Sequence, residues 1–163
     1  MDELNKHISE IEQEILRLSD KYKTALNLIR TVPGFDKNPL TAVQVLSEIG
    51  GDMSVFPTAK HLVSCAGCCP RNDKSDRKIK STRISCAGSY FKPVLVQIAN
   101  ALIKSKKHFE FTTRYKRIKT RRGHKKAIIA RCRMILTAIW HILTDLKPYT
   151  SDGFLESRPV KKE

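Results

Sequence analysis

Between Leu4 and Ile29 the apolar residues recur at spacings of four and three without a break: Leu4, Ile8, Ile11, Ile15, Leu18, Tyr22, Ala25 and Ile29. A helix turns every 3.6 residues and a strand alternates every two, so this spacing draws a single stripe along a helix and excludes a strand. Ile8, Ile15, Tyr22 and Ile29 share one heptad position, and Leu4, Ile11, Leu18 and Ala25 share the other. A stripe this narrow is the seam of a coiled coil, whereas a helix packed on its own domain usually carries a wider apolar face. The spacing therefore predicts a helix over residues 1–30 that pairs with another helix, in a dimer or back on the chain. Leu4, Ile8, Ile11, Ile15, Leu18, Tyr22 and Ile29 are its expected dimerisation residues. Glu3, Glu10, Glu12 and Glu14 crowd its first half and Lys21, Lys23 and Arg30 its end, the order that the helix dipole favours.

The remainder also reads as helical. Pro33 and Gly34 stop the first helix, and a second is expected over 40–49, with Val43, Leu46 and Ile49 on one face and Gly50-Gly51 beyond it. The Val32-Pro33-Gly34-Phe35 turn is similar to a helix-hairpin-helix, whose amides bind phosphate. With Asp36-Lys37-Asn38-Pro39 in place of a second glycine, a plain structural turn fits equally well. Pro57 suits the first turn of a short helix to residue 66. Residues 68–88 read as polar and irregular. Ser89 is the expected cap of a helix to residue 105 that buries Val94, Leu95, Ile98, Ala101 and Leu102. Residues 108–122 mix Phe109, Phe111, Tyr115 and Ile118 with cations, and a long apolar helix is expected over 125–146. The fold class is all-α, divided into a coiled-coil helix (1–30), a helical domain with a basic loop (31–147) and a tail (148–163) with Phe154 as an anchor.

Charge narrows the function. Residues 71–126 hold eighteen Lys or Arg against Asp73, Asp76 and Glu110, while the rest of the chain balances thirteen bases with thirteen acids. The formal charge of +15 therefore belongs to one third of the length. Solubility does not require such focusing. A polyphosphate partner does, because each cation that neutralises a phosphate releases condensed counterions. No apolar run approaches the ~20 residues of a membrane span, and the acidic N-terminus does not match a signal peptide. A cytoplasmic protein without a membrane partner is expected. Cys65, Cys68 and Cys69 form a C-x-x-C pattern, but no second pair completes a zinc site, and small buried residues surround them.

Within the basic segment Ser75 lies between Lys74 and Asp76, followed by Arg77, Lys78, Lys80 and Arg83. A serine hydroxyl attacks a phosphodiester only when its proton is drawn off and cations stabilise the charge gathering at phosphorus. On spacing alone, a turn former or a phosphate hydrogen-bond donor fits this serine better than a nucleophile.

Two longer stretches carry a resemblance: VPGFDKNPLTAVQVLSEIGGDMSVFPTAKHLVSCAGCCP and SDRKIKSTRISCAGSYFKPVLVQIA. Pro33, Gly34, Ala42, Leu46, Glu48 to Gly50, Phe56, Ala59, Leu62, Ala66, Gly67 and Pro70 fall in order, as do Ser75, Lys78, Arg83, Ile84, Ser85 and Gly88. This string resembles the C-terminal domain of bacterial insertion-sequence transposases of the IS-one-ten group, and Arg121 to Ala127 resembles the approach to that domain's last helix. The resemblance implies DNA transposition and strand exchange with Ser75 as catalytic nucleophile. It implies an RNase-H-like N-terminal domain whose four acids hold divalent metal (magnesium), with no metal held by residues of this chain. It also implies a structured non-coding guide RNA beside the DNA, while a homo-oligomer formed through the N-terminal helix is what the heptad seam predicts.

In the family the serine is usually followed by glycine, where this chain has Asp76 and Arg77, and two cations before the next helix are replaced by Cys86 and Ala87. Without the metal domain, the chain alone is not expected to cut DNA. The expected nucleic-acid-binding residues are Lys74, Arg77, Lys78, Lys80, Arg83, Lys92, Arg114, Lys116, Arg117, Lys119, Arg121, Arg122, Lys125 and Lys126. A non-catalytic binding and dimerisation fragment, or an unrelated basic helical RNA-binding protein, are the alternative readings.

Overall fold

The computed structural model describes residues 2–70, 73–75, 78–81, 83–85, 88–105 and 107–150. Its elements are α1 (Asp2–Leu18), α2 (Lys23–Thr31), α3 (Pro39–Ile49), α4 (Ala59–Cys65), β1 (Asp73–Ser75), β2 (Lys78–Ser81), α5 (Phe91–Lys104), α6 (Phe109–Arg122) and α7 (His124–Asp145), with single 3-10 turns at Asp20–Tyr22 and Met53–Val55. The fold is all-α, as the periodicities require, with one short antiparallel hairpin added.

α7 holds the rest together. Ala127, Ile128, Ile135, Leu136, Ile139 and Leu143 are buried along it, and α2, α4, α5 and α6 all pack on it. Each large aliphatic side chain so covered contributes about 1.5–3 kcal/mol. Trp140, at the edge of this surface, donates its indole N–H to the Phe56 carbonyl at 2.9 Å and so holds the loop before α4. No single run of apolar residues announced a membrane-spanning length, yet α7 as a whole has one, with a mean hydropathy of 1.4. Its apolar side chains serve as the centre of the helical body.

The N-terminal helix is not continuous. Ser19 turns its hydroxyl onto the Leu16 carbonyl at 2.8 Å, the local alternative that short polar side chains offer to a helical backbone. The chain re-enters helix only at Lys23. The break divides the seam. Along α1 and the 3-10 turn, Leu4, Ile8, Ile11, Ile15, Leu18 and Tyr22 stay exposed. On α2 the stripe turns inward: Ile29 is fully buried and Ala25 packs on the core. Ile29, expected to face a second helix, is therefore a core residue, because α2 uses its apolar face on α3 and α7.

The turn between α2 and α3 is structural. Val32, Pro33 and Phe35 are buried in it, and Gly34 (φ +94°) lies so close to α5 that a Cβ there would come within 2.7 Å of Ile98 Cγ2. The Phe35 amide donates within the turn, to the Val32 carbonyl at 3.2 Å. Asn38 then caps α3, its Oδ1 accepting from the Leu40 amide at 2.9 Å, with Pro39 in the first turn. α4 starts two residues later than expected, with Thr58 at its N-cap. At α5 the expected cap fails: the Gly88 carbonyl accepts the Lys92 amide at 2.8 Å, while Ser89 is exposed. Gly88 (φ +69°) also sits against α4, where a Cβ would come within 2.6 Å of the Ala66 carbonyl oxygen. Past α7, Tyr149 anchors the chain, its amide donating to Thr31 Oγ1 at 2.8 Å. Phe154, the expected anchor, lies outside the described residues.

Gly34→Ala combines a left-handed backbone with a collision against Ile98, so urea unfolding should show a loss of about 1–3 kcal/mol. A loss within error would mean that the turn relaxes freely.

Candidate nucleic-acid interface

α6 sorts its residues by face. Phe111 and Tyr115 are buried and Ile118 packs on the core, the inward stripe of an amphipathic helix. Lys116, Arg117, Lys119, Arg121 and Arg122 are left in solvent. Gly123 ends α6, and α7 begins at once with His124, Lys125 and Lys126, all exposed. The Tyr115 hydroxyl and His124 Nδ1 are 2.7 Å apart, which pins the last turn of α6 to the first turn of α7. The Lys119 ammonium lies over the Tyr115 ring, 5.8 Å from its centroid. Seven of the expected cations thus gather around one helix-to-helix turn.

Their electrostatics differ. Lys119, Arg121 and Arg122 sit at the carbonyl end of α6, where the helix dipole favours a cation. Lys125 and Lys126 stand in the first turn of α7, where it disfavours one, and no acid occupies that turn. Gly123 contributes no side-chain cap there. None of the seven has a carboxylate partner among the described residues. Amide N–H groups and uncompensated cations at one helix start form an anion-binding arrangement that the fold itself does not need.

The other expected cations have different places. Arg83 is exposed. Arg114 is half-buried, its guanidinium Nη1 reaching Met134 Sδ at 3.7 Å. Lys92 is turned inward, its ammonium donating to the Ser85 carbonyl at 2.8 Å, so the fold uses the charge expected to face nucleic acid. Lys74 lies on β1, and Lys78 and Lys80 lie on β2. Arg77, with Asp76, lies outside the described residues.

Ser75 stands on β1, not in an irregular loop. Its backbone pairs with Lys78, as Lys74 pairs with Ile79 and Asp73 with Ser81, and an isolated bridge between Pro70 and Ile84 lies beyond the open end of the ladder. The serine is therefore the last paired residue of β1. Alternation was too short there to signal strands.

The two buried cysteines, Cys68 and Cys132, offer no competing nucleophile. Burial pushes the Cys132 thiol up to about 12, with Cys68 nearby adding to it, and burial likewise raises Cys68. Both stay protonated near neutrality. Among the described residues no three His, Cys, Asp or Glu side chains could hold a metal ion.

The profile of the family described as Transposase IS116/IS110/IS902 matches residues 26–116, which include β1, β2 and most of α6. The chain belongs to this transposase family. Two curated relatives, the pilin gene-inverting proteins of Moraxella lacunata and Moraxella bovis, are each 26% identical over 147 residues, covering 87% of this chain. The chain spans 45% of the length of either relative. For this transposase-family chain, the match ends within α6, so the cations of its last turn and of α7 lie beyond the matched region.

Replacing Lys125 and Lys126 by Glu should raise stability by roughly 0.3–1 kcal/mol per site, because acids suit a helix start. The same variant should bind a DNA duplex more weakly, with a shallower dependence of log affinity on log salt. Thermal unfolding and a salt titration of binding check both. Unchanged affinity would remove this turn from the interface.

Proposed function

We propose that this chain is the DNA-binding, catalytic-serine part of an insertion-sequence transposase, acting in DNA transposition and strand exchange. Family membership supports the class of reaction. The observation that carries the binding role is the cluster of uncompensated cations at the α6–α7 turn, on a helix start that they destabilise. Such a surface suits the phosphate backbone, which is held through charge whatever the base sequence. A structured guide RNA would meet the same surface by the same chemistry.

Ser75 is the proposed nucleophile. Its Oγ would form a bond to phosphorus as the bond to the leaving sugar oxygen breaks. The hydroxyl proton passes to a base, and the leaving oxygen takes one up. The resulting phosphoserine ester conserves the phosphodiester bond, so a second strand end can reverse the step without an external energy source. A position at the end of the ladder supports this role, because pairing with Lys78 fixes the serine's backbone. The metal-holding acids belong to the RNase-H-like domain that the resemblance implies.

A homo-oligomer completes the proposal. Leu4, Ile8, Ile11, Ile15, Leu18 and Tyr22 form an exposed apolar line, which continues into a groove of about 320 Å³ lined by Ile15, Leu18, Tyr22, Val43, Leu46, Gly50 and Gly51. A second copy of the same helix fits such a seam.

In a protein that also carries the metal domain, a covalent protein–DNA adduct should form and disappear in Ser75→Ala. An adduct that survives the substitution would exclude Ser75. For the seam, Ile15→Asp should reduce the mass measured by light scattering to that of one chain, and an unaltered oligomer would place the interface elsewhere.

A further inference from the structure

The buried side of α6 and α7 holds a charge that the nucleic-acid reading above has not used. Arg131 lies in the inward stripe of α7, between Ile128 and Ile135, and only 4% of it is exposed. Its Nη1 touches Met134 Sδ at 3.2 Å, and its Nε has no hydrogen-bond partner. A thioether sulfur is a weak acceptor and does not neutralise a guanidinium. Burying a charge is costly unless it is paired, so a lone arginine here works against the fold.

Among the described residues, the charge that acts on Arg131 has the same sign. Arg114, from α6, reaches the same Met134 sulfur at 3.7 Å, so two guanidiniums converge on one atom. Burial first, and Arg114 second, lower the Arg131 guanidinium to about 10, which still leaves it charged at neutral pH. An acid, Glu110, stands one turn before Arg114 on α6. Glu110 is 3.9 Å from His108, and with Arg114 it acts on the Tyr149 hydroxyl, which burial pushes up to about 12. The influences on Arg131 are burial and Arg114 alone.

We propose that Arg131 and Arg114 form a seat for one phosphate group, with Arg131 as its floor and the half-buried Arg114 as its rim. Two guanidinium forks can donate to several oxygens of one tetrahedral anion, which a carboxylate or chloride would satisfy less fully. Arg114, Arg117 and Arg121 recur at spacings of three and four and so share one edge of α6, leading outward from the seat. A nucleic-acid phosphodiester would enter along that edge, while free phosphate would need only the seat. The first source rests on the binding function proposed above, and the second does not.

Arg131→Met exchanges the guanidinium for an apolar side chain in apolar surroundings and should fold at least as stably as the unaltered chain in chloride buffer. Inorganic phosphate, added at constant ionic strength, should raise the unfolding midpoint of the unaltered chain and leave that of Arg131→Met in place. Arg131→Lys, which keeps charge but not the fork, should recover part of the rise. With a DNA duplex, Arg131→Met should lose roughly tenfold or more in affinity and flatten the salt slope by about 0.9. Phosphate protection lost in Arg131→Met with duplex affinity unchanged would identify free phosphate as the occupant and reject the backbone. Equal protection of both proteins, or none of either, would overturn the seat itself. If the unaltered chain fails to bind the duplex, the function proposed above falls, and the phosphate arm still decides the seat.

Discussion

The burial of α7 is the interaction on which everything else in this chain depends. Four other helices pack on it, and the loop before α4 is tied to it through Trp140. Helix-on-helix burial of this kind covers one stripe per element and leaves the opposite face free. α6 shows the result: Phe111 and Tyr115 hold it down, and its whole outer surface can then be given to Lys and Arg at no cost to the core.

That freedom has a limit at the turn between α6 and α7. Cations at the end of α6 agree with its dipole, whereas Lys125 and Lys126 oppose the dipole of α7. Like charges in one turn also repel one another. A chain shaped for stability alone would place Asp or Glu there. The misfit is local and small beside the apolar contacts of α7, so the fold tolerates it. Arg131 is the same kind of misfit moved inside, and its cost is larger because water is excluded.

Much of this was legible in the sequence, and the failures have physical causes. The apolar stripes predicted the helical class and the helix positions to within a few residues, because burial follows helical period. Continuity of the first helix was not legible: the heptad runs through Ser19, and only the serine's bond to the Leu16 carbonyl shows the break. Nor was the inward rotation of Ile29, since a stripe does not say which surface will cover it. The hairpin escaped because strands of three and four residues leave no measurable alternation. Lys92 looked like its exposed neighbours until its hydrogen bond to Ser85 placed it. Arg131 could have been found: a charge at the 128–131–135 spacing of an otherwise apolar stripe is visible by counting.

The order of α1 follows from what touches it. Seventeen residues in isolation make at best a marginal helix in water, since nucleation is costly and each added residue returns little. α1 buries none of its residues, and its main packing partner is α3. The Arg17–Glu14 pair on its surface is fully exposed and adds little. What α1 does possess is a line of large apolar side chains on one face. Covering that line would contribute far more than propensity or surface charge can. In the proposed homo-oligomer, helix formation along α1 and the pairing of its seam are one coupled equilibrium, in which the association supplies the stability that the helix cannot supply for itself.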